Sequence, residues 1–60
     1  MNEEKKYTVL IVDDDKFLLD MYSMKFKALG HDAHVAVGPT EALNKLRGGE
    51  SPDVLILDVI

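Results

Sequence analysis

Two runs of consecutive apolar residues bracket the chain. Tyr7 to Val12 is the first and Val54 to Leu57 the second. Uninterrupted β-branched and aliphatic runs of this length predict strands that sit inside a parallel sheet rather than strands with one wet face. Between them the period changes. From Lys16 to Leu29 apolar residues return every three or four positions, which predicts a helix, and Gly30 supplies its C-terminal stop. Leu18, Tyr22, Phe26 and Leu29 form one stripe of that helix, and Phe17, Met21, Met24 and Ala28 form a second. A single stripe suffices to cover a sheet, so the second is either the margin of a wide buried face or a surface for another partner. Asp32 to Val37 alternates loosely, as an edge strand does, and Gly38-Pro39 opens a short helix from Thr40 to Arg47 that presents Ala42, Leu43 and Leu46. Gly48 to Pro52 reads as a loop. The predicted order is β-α-β-α-β in one domain over residues 1–60, an α/β unit built on a parallel sheet.

Length and charge narrow the picture. A chain of 60 residues buries only about 60% of its unfolded surface and is marginal as a lone monomer. With no cysteine there is neither a disulfide nor a thiolate zinc site to support it, which leaves a bound ion or a second chain. The net charge of −4, with acids spread along the chain, argues against nucleic acid or an anionic membrane as a partner. No run approaches the roughly 20 apolar residues of a membrane span, and residues 1 to 6 are polar and unlike a secretory leader. The expectation is a cytoplasmic soluble protein.

The candidate chemistry lies at the ends of the two apolar strands. Asp13-Asp14-Asp15 ends the first and Asp58 ends the second. Parallel strands bring such ends to one rim of the sheet, where α/β folds place their ligands. Carboxylates gathered there repel one another unless a cation lies between them, and Mg²⁺, which prefers oxygen ligands and retains several waters, suits such a site. Asp14 or Asp15 also serves as a helix cap, and Asp15 reads as a cap rather than a ligand. His31 and His34 read as exposed or half-buried side chains and Lys16 as a solvent-facing residue at a helix start. Thr40 and Ser51 have no base beside them, so the chain is not expected to be an enzyme.

Taken together, Leu10-Ile11-Val12-Asp13-Asp14-Asp15, the helix end Ala28-Leu29-Gly30-His31, Glu41-Ala42-Leu43 and Pro52-Asp53-Val54-Leu55-Ile56-Leu57-Asp58 resemble the first half of the receiver domain of bacterial two-component response regulators. The resemblance implies a half flavodoxin-like sheet in the order 2-1-3, complete receivers being ordered 2-1-3-4-5. It implies that Asp58 matches the aspartate phosphorylated by a histidine kinase, and that Asp13 and Asp14 match the acidic pair that holds Mg²⁺ with it. It further assigns Ile60 as a metal ligand, since receivers use the backbone carbonyl two residues beyond the phosphoacceptor. Here the sequence has its terminal carboxylate at that position, which would add charge to the cation site. The phosphate-contacting Ser/Thr and Lys that receivers carry on their fourth and fifth strands have no counterpart in these residues.

In the 2-1-3 order the third strand is a free edge of Val, Leu and Ile, and such edges invite association. The sequence therefore predicts a truncated receiver that forms a homodimer. Val54 and Ile56 contribute if third strands pair, and Phe17, Met21 and Met24 contribute if first helices or sheet faces meet. The leading expectation is a cation-binding module of phosphorelay signalling that acts through protein contact, with a sensor histidine kinase or a full-length receiver as further partners. Two other readings stand beside it: Asp58 still accepts a phosphoryl group, or the chain is an excised folding fragment without a role of its own.

Overall fold

The computed structural model describes residues 6–58. Five elements follow one another: β1 (Thr8–Asp13), α1 (Lys16–Ala28), β2 (Asp32–Ala36), α2 (Pro39–Arg47) and β3 (Val54–Asp58). The strands form one parallel sheet in the order β2-β1-β3, so the fold is the half flavodoxin-like α/β arrangement expected from the sequence.

β1 lies at the centre, and its alternation divides the core in two. Val9 and Ile11 face α1 and pack with Leu19, joined at the margin by Tyr22, Phe26, Val35 and Ile56. Leu10 and Val12 face the other way and pack with Ala36 and Ala42 of α2. A strand covered on both sides has no use for polar residues, which is why Val9 to Val12 reads as one apolar run.

Two stripes assigned from the sequence hold only in part. Tyr22 and Phe26 of the expected α1 stripe pack against the core and Leu18 is half-buried, but the residue of α1 that is fully buried is Leu19, which that stripe omitted. Leu29 stays exposed because the helix ends at Ala28 and the chain reverses there. In α2 only Ala42 is buried, while Leu43 and Leu46 are exposed, since this nine-residue helix lies over β1 and β2 alone. β2 contributes Val35 to one layer and Ala36 to the other, and Val37 lies beyond the strand, exposed.

Both helices stop in the same way. The Gly30 N–H donates to the carbonyl of Lys27 and the His31 N–H to that of Phe26. The Gly49 and Glu50 N–H groups repeat this pattern on Leu46 and Lys45. Each is a Schellman closure that requires a left-handed residue, supplied by Gly30 at φ +91° and Gly49 at φ +105°. These stops turn α1 into β2 and α2 towards β3. The start of α2 is held by Glu41, whose Oε1 accepts from the Val37 N–H at 2.8 Å. Gly38 caps the helix without a side chain of its own.

Candidate functional site

β1 and β3 run parallel with Val9 opposite Val54 and Asp13 opposite Asp58. This register is pinned at its start by Asp53. Its N–H donates to the Thr8 carbonyl at 2.8 Å, and its Oδ2 accepts from the Thr8 N–H at 2.9 Å. With that anchor set, five residue pairs later the two aspartates stand side by side on neighbouring strands, roughly 4.8 Å apart along the hydrogen-bonding direction. The two-residue period places them on the α1 side of the sheet, in line with Val9, Ile11 and Ile56.

Their surroundings differ. Asp13 is only 2% exposed, whereas Asp58 and Asp14 are open to solvent. Oδ1 of Asp13 accepts from the Asp15 N–H at 2.9 Å and so shapes the turn into α1. Oδ2 of Asp13 is buried with no hydrogen-bond partner among the described residues. Asp15 is the N-cap of α1: its Oδ1 accepts from Phe17 N–H at 2.9 Å and Leu18 N–H at 3.4 Å. The aspartate run thus divides its labour, with Asp13 on the turn and the rim, Asp14 outside, and Asp15 on the helix.

A buried carboxylate oxygen without a partner costs about 1–3 kcal/mol or more, and a cation at the rim would remove that cost. Among the described residues no three His, Asp or Glu side chains are grouped so as to hold a metal. What the fold brings together is a pair, Asp13 with Asp58, and Asp14 next to it in the chain. Mg²⁺ is commonly bound by just one or two carboxylates with waters completing its octahedron, so a pair with one orphaned oxygen fits that ion better than it fits a fully protein-ligated one. Ile60, assigned as a further ligand from the resemblance, lies outside the described residues. Among the described residues no enclosed pocket accompanies the rim.

The remaining candidates lie elsewhere. His31 is half-buried at the opposite end of the sheet, where its Nδ1 accepts from the Tyr7 N–H at 3.1 Å and its ring sits between those of Tyr7 and Phe26. His34 meets Asp32 at 3.2 Å through one ring nitrogen and Glu50 at 3.5 Å through the other, and Glu50 also pairs with Lys45. Because the two carboxylates bind opposite sides of the imidazole, they share no point where a metal would sit. Asp53 and Glu41 went unassigned in the sequence. Glu41 carried a legible signal, three residues into a helix that follows Gly-Pro, but the Asp53 clamp depends on a register spanning 45 residues.

The surfaces named for self-association are exposed. On α1, Phe17 is 74%, Met24 71% and Met21 41% exposed, and on β3 Val54 is exposed and Ile56 half-buried. No described helix is long and apolar enough to cross a membrane. Comparison with family models, curated proteins and solved structures returned no match, so the fold and the rim carry the functional reading.

Proposed function

We propose that this chain is a receiver-type module of two-component signalling that binds a divalent cation at the Asp13–Asp58 rim, associates with a second copy and acts mainly through protein contact. The observation that carries this reading is the register pairing of Asp13 with Asp58 together with the unpaired, buried Oδ2 of Asp13. A magnesium ion there neutralises the repulsion between two neighbouring carboxylates and gives the orphaned oxygen a partner. The test is a Mg²⁺ titration followed by amide chemical shifts. Shifts centred on residues 13–15 and 58, lost in Asp13→Asn, are expected. A flat titration at millimolar Mg²⁺ overturns the reading.

A second reading is favoured by the exposure of Asp58. An outward-facing carboxylate beside a cation is arranged to attack phosphorus. One Oδ of Asp58 forms a bond to the phosphorus of a phosphodonor, and the donor's bridging oxygen leaves with the electron pair, as acetate does from acetyl phosphate. The bound cation supplies charge neutralisation of the phosphoryl oxygens. Incubation with acetyl phosphate and Mg²⁺ should add the mass of one phosphoryl group to the wild type and none to Asp58→Asn. An unchanged wild-type mass removes this second reading and leaves the cation site standing.

A further inference from the structure

The outer face of α1 carries a seam that none of the described residues covers. Leu19, Tyr22 and Phe26 point at the sheet. At about 100° per residue, Phe17, Met21, Met24 and Ala28 fall on the diametrically opposite face. All four are exposed, Phe17 and Met24 by more than two thirds. Their spacing is four, three, four, the alternation by which one helix packs its side chains into the holes of another. A solvent-facing helix surface has no reason to keep that period in large apolar residues.

We infer that this seam pairs with α1 of a second copy, antiparallel, about a two-fold axis lying between Met21 and Met24. The inference takes over the self-association proposed above and fixes its surface. The seam is complementary to itself in that direction. Phe17 lies opposite the partner's Ala28, large against small at both ends, and Met21 opposite the partner's Met24. Charge follows the same rule. Asp14 and the N-cap Asp15 precede the first turn of α1, and Lys25 and Lys27 lie in its last turn, so antiparallel pairing sets each acidic entry beside a basic end and opposes the helix dipoles. On one flank of the seam Asp20 comes level with the partner's Lys27 within about one half-turn, with Lys16 farther from the seam. A parallel pairing instead places Phe17 against Phe17 and gathers the acids at one end. Symmetric, closed pairs of this kind are the commonest assembly of identical chains. Two helices of 13 residues bury less than the roughly 1,200 Å² of stable interfaces, so the pair is a weak one, with a dissociation constant in the range of about 10 µM to 1 mM. It leaves the rim and β3 uncovered.

The experiment is sedimentation equilibrium of the full chain up to about 1 mM, the top of the affinity range expected for so small an interface, with charge reversals at exposed positions that the fold does not need. Asp20→Lys and Lys27→Asp should each weaken dimerisation about tenfold, and the two together should restore it. A cross-link then fixes direction in a chain that has no cysteine of its own. A mixture of Phe17→Cys and Ala28→Cys chains should give the mixed 17–28 disulfide, while each variant alone gives none. A monomer throughout the range, reversals without effect, or a 17–17 disulfide each overturn the pairing. Mg²⁺ titration of the same samples reads the rim separately, so loss of the seam with an intact cation response, or the converse, identifies which proposal failed.

Discussion

β1 and β3 are nearly the same peptide in different places. Thr-Val-Leu-Ile-Val-Asp and Val-Leu-Ile-Leu-Asp lie side by side in register, each ending in an aspartate. Yet Ile11 is fully buried, while Leu57, one strand away, is 65% exposed. Composition does not account for the difference. β1 has a strand on each side and a helix over each face, whereas β3 has one neighbouring strand, and neither helix runs over it. The same contrast holds for the two aspartates, one buried and one open. An apolar run therefore states what a strand can bury, and its neighbours decide what it does bury.

The largest test of that contrast is paired truncation. Ile11→Ala should cost about 2–5 kcal/mol, enough to unfold a chain of this size at room temperature, as read by far-ultraviolet circular dichroism. Leu57→Ala should leave the denaturation midpoint within about 0.5 kcal/mol of the wild type. Equal losses at the two positions would mean that β3 is covered in solution.

The aspartates give the next largest effects, near 1 kcal/mol. Asp15→Ala removes the cap of α1 and should destabilise by about 1 kcal/mol, whereas Asp14→Ala, which has no cap to lose, should be close to neutral in urea unfolding. Asp13→Asn keeps the acceptor for the Asp15 N–H and removes a buried charge beside Asp58. Without divalent ions it should stabilise the fold by about 1 kcal/mol, and it should abolish the added stability that Mg²⁺ gives the wild type. The smallest effect on stability comes from Leu57→Lys, which should leave the unfolding midpoint unchanged and suppress aggregation at high concentration, because a lysine blunts an open edge.

Much of this was legible in the chain. The change of period from continuous runs to three-and-four spacing located β1, α1 and β3, loose alternation located β2 and Gly38-Pro39 the start of α2, and Gly30 marked where the first helix reverses. The aspartates at the strand ends were visible for the same reason. What failed was the extent of buried faces, and register. The expected α1 stripe included Tyr22 and Phe26, which do pack on the core, but omitted Leu19, about 20° beyond Phe26 around the helix, because apolar residues on both sides of α1 leave the edge of its buried face open in the sequence. Leu43 and Leu46 are apolar but have no sheet beneath them. The clamp of Asp53 on Thr8 joins residues 45 apart and exists only once the strands are paired. The unpaired Oδ2 of Asp13, on which the cation reading rests, follows from burial of one carboxylate and not its neighbour, which a run of three identical residues does not reveal.

The most direct test of the account replaces Mg²⁺ with Mn²⁺, whose unpaired electrons broaden the resonances of nearby nuclei. Substoichiometric Mn²⁺ should erase the amide signals of Asp13, Asp14, Asp15 and Asp58 first and leave those of His31 and Gly49, at the other end of the sheet, sharp. Excess Mg²⁺ should restore them. Broadening that spreads evenly over all exposed acids, or that spares the ends of β1 and β3, would contradict a cation site at the rim.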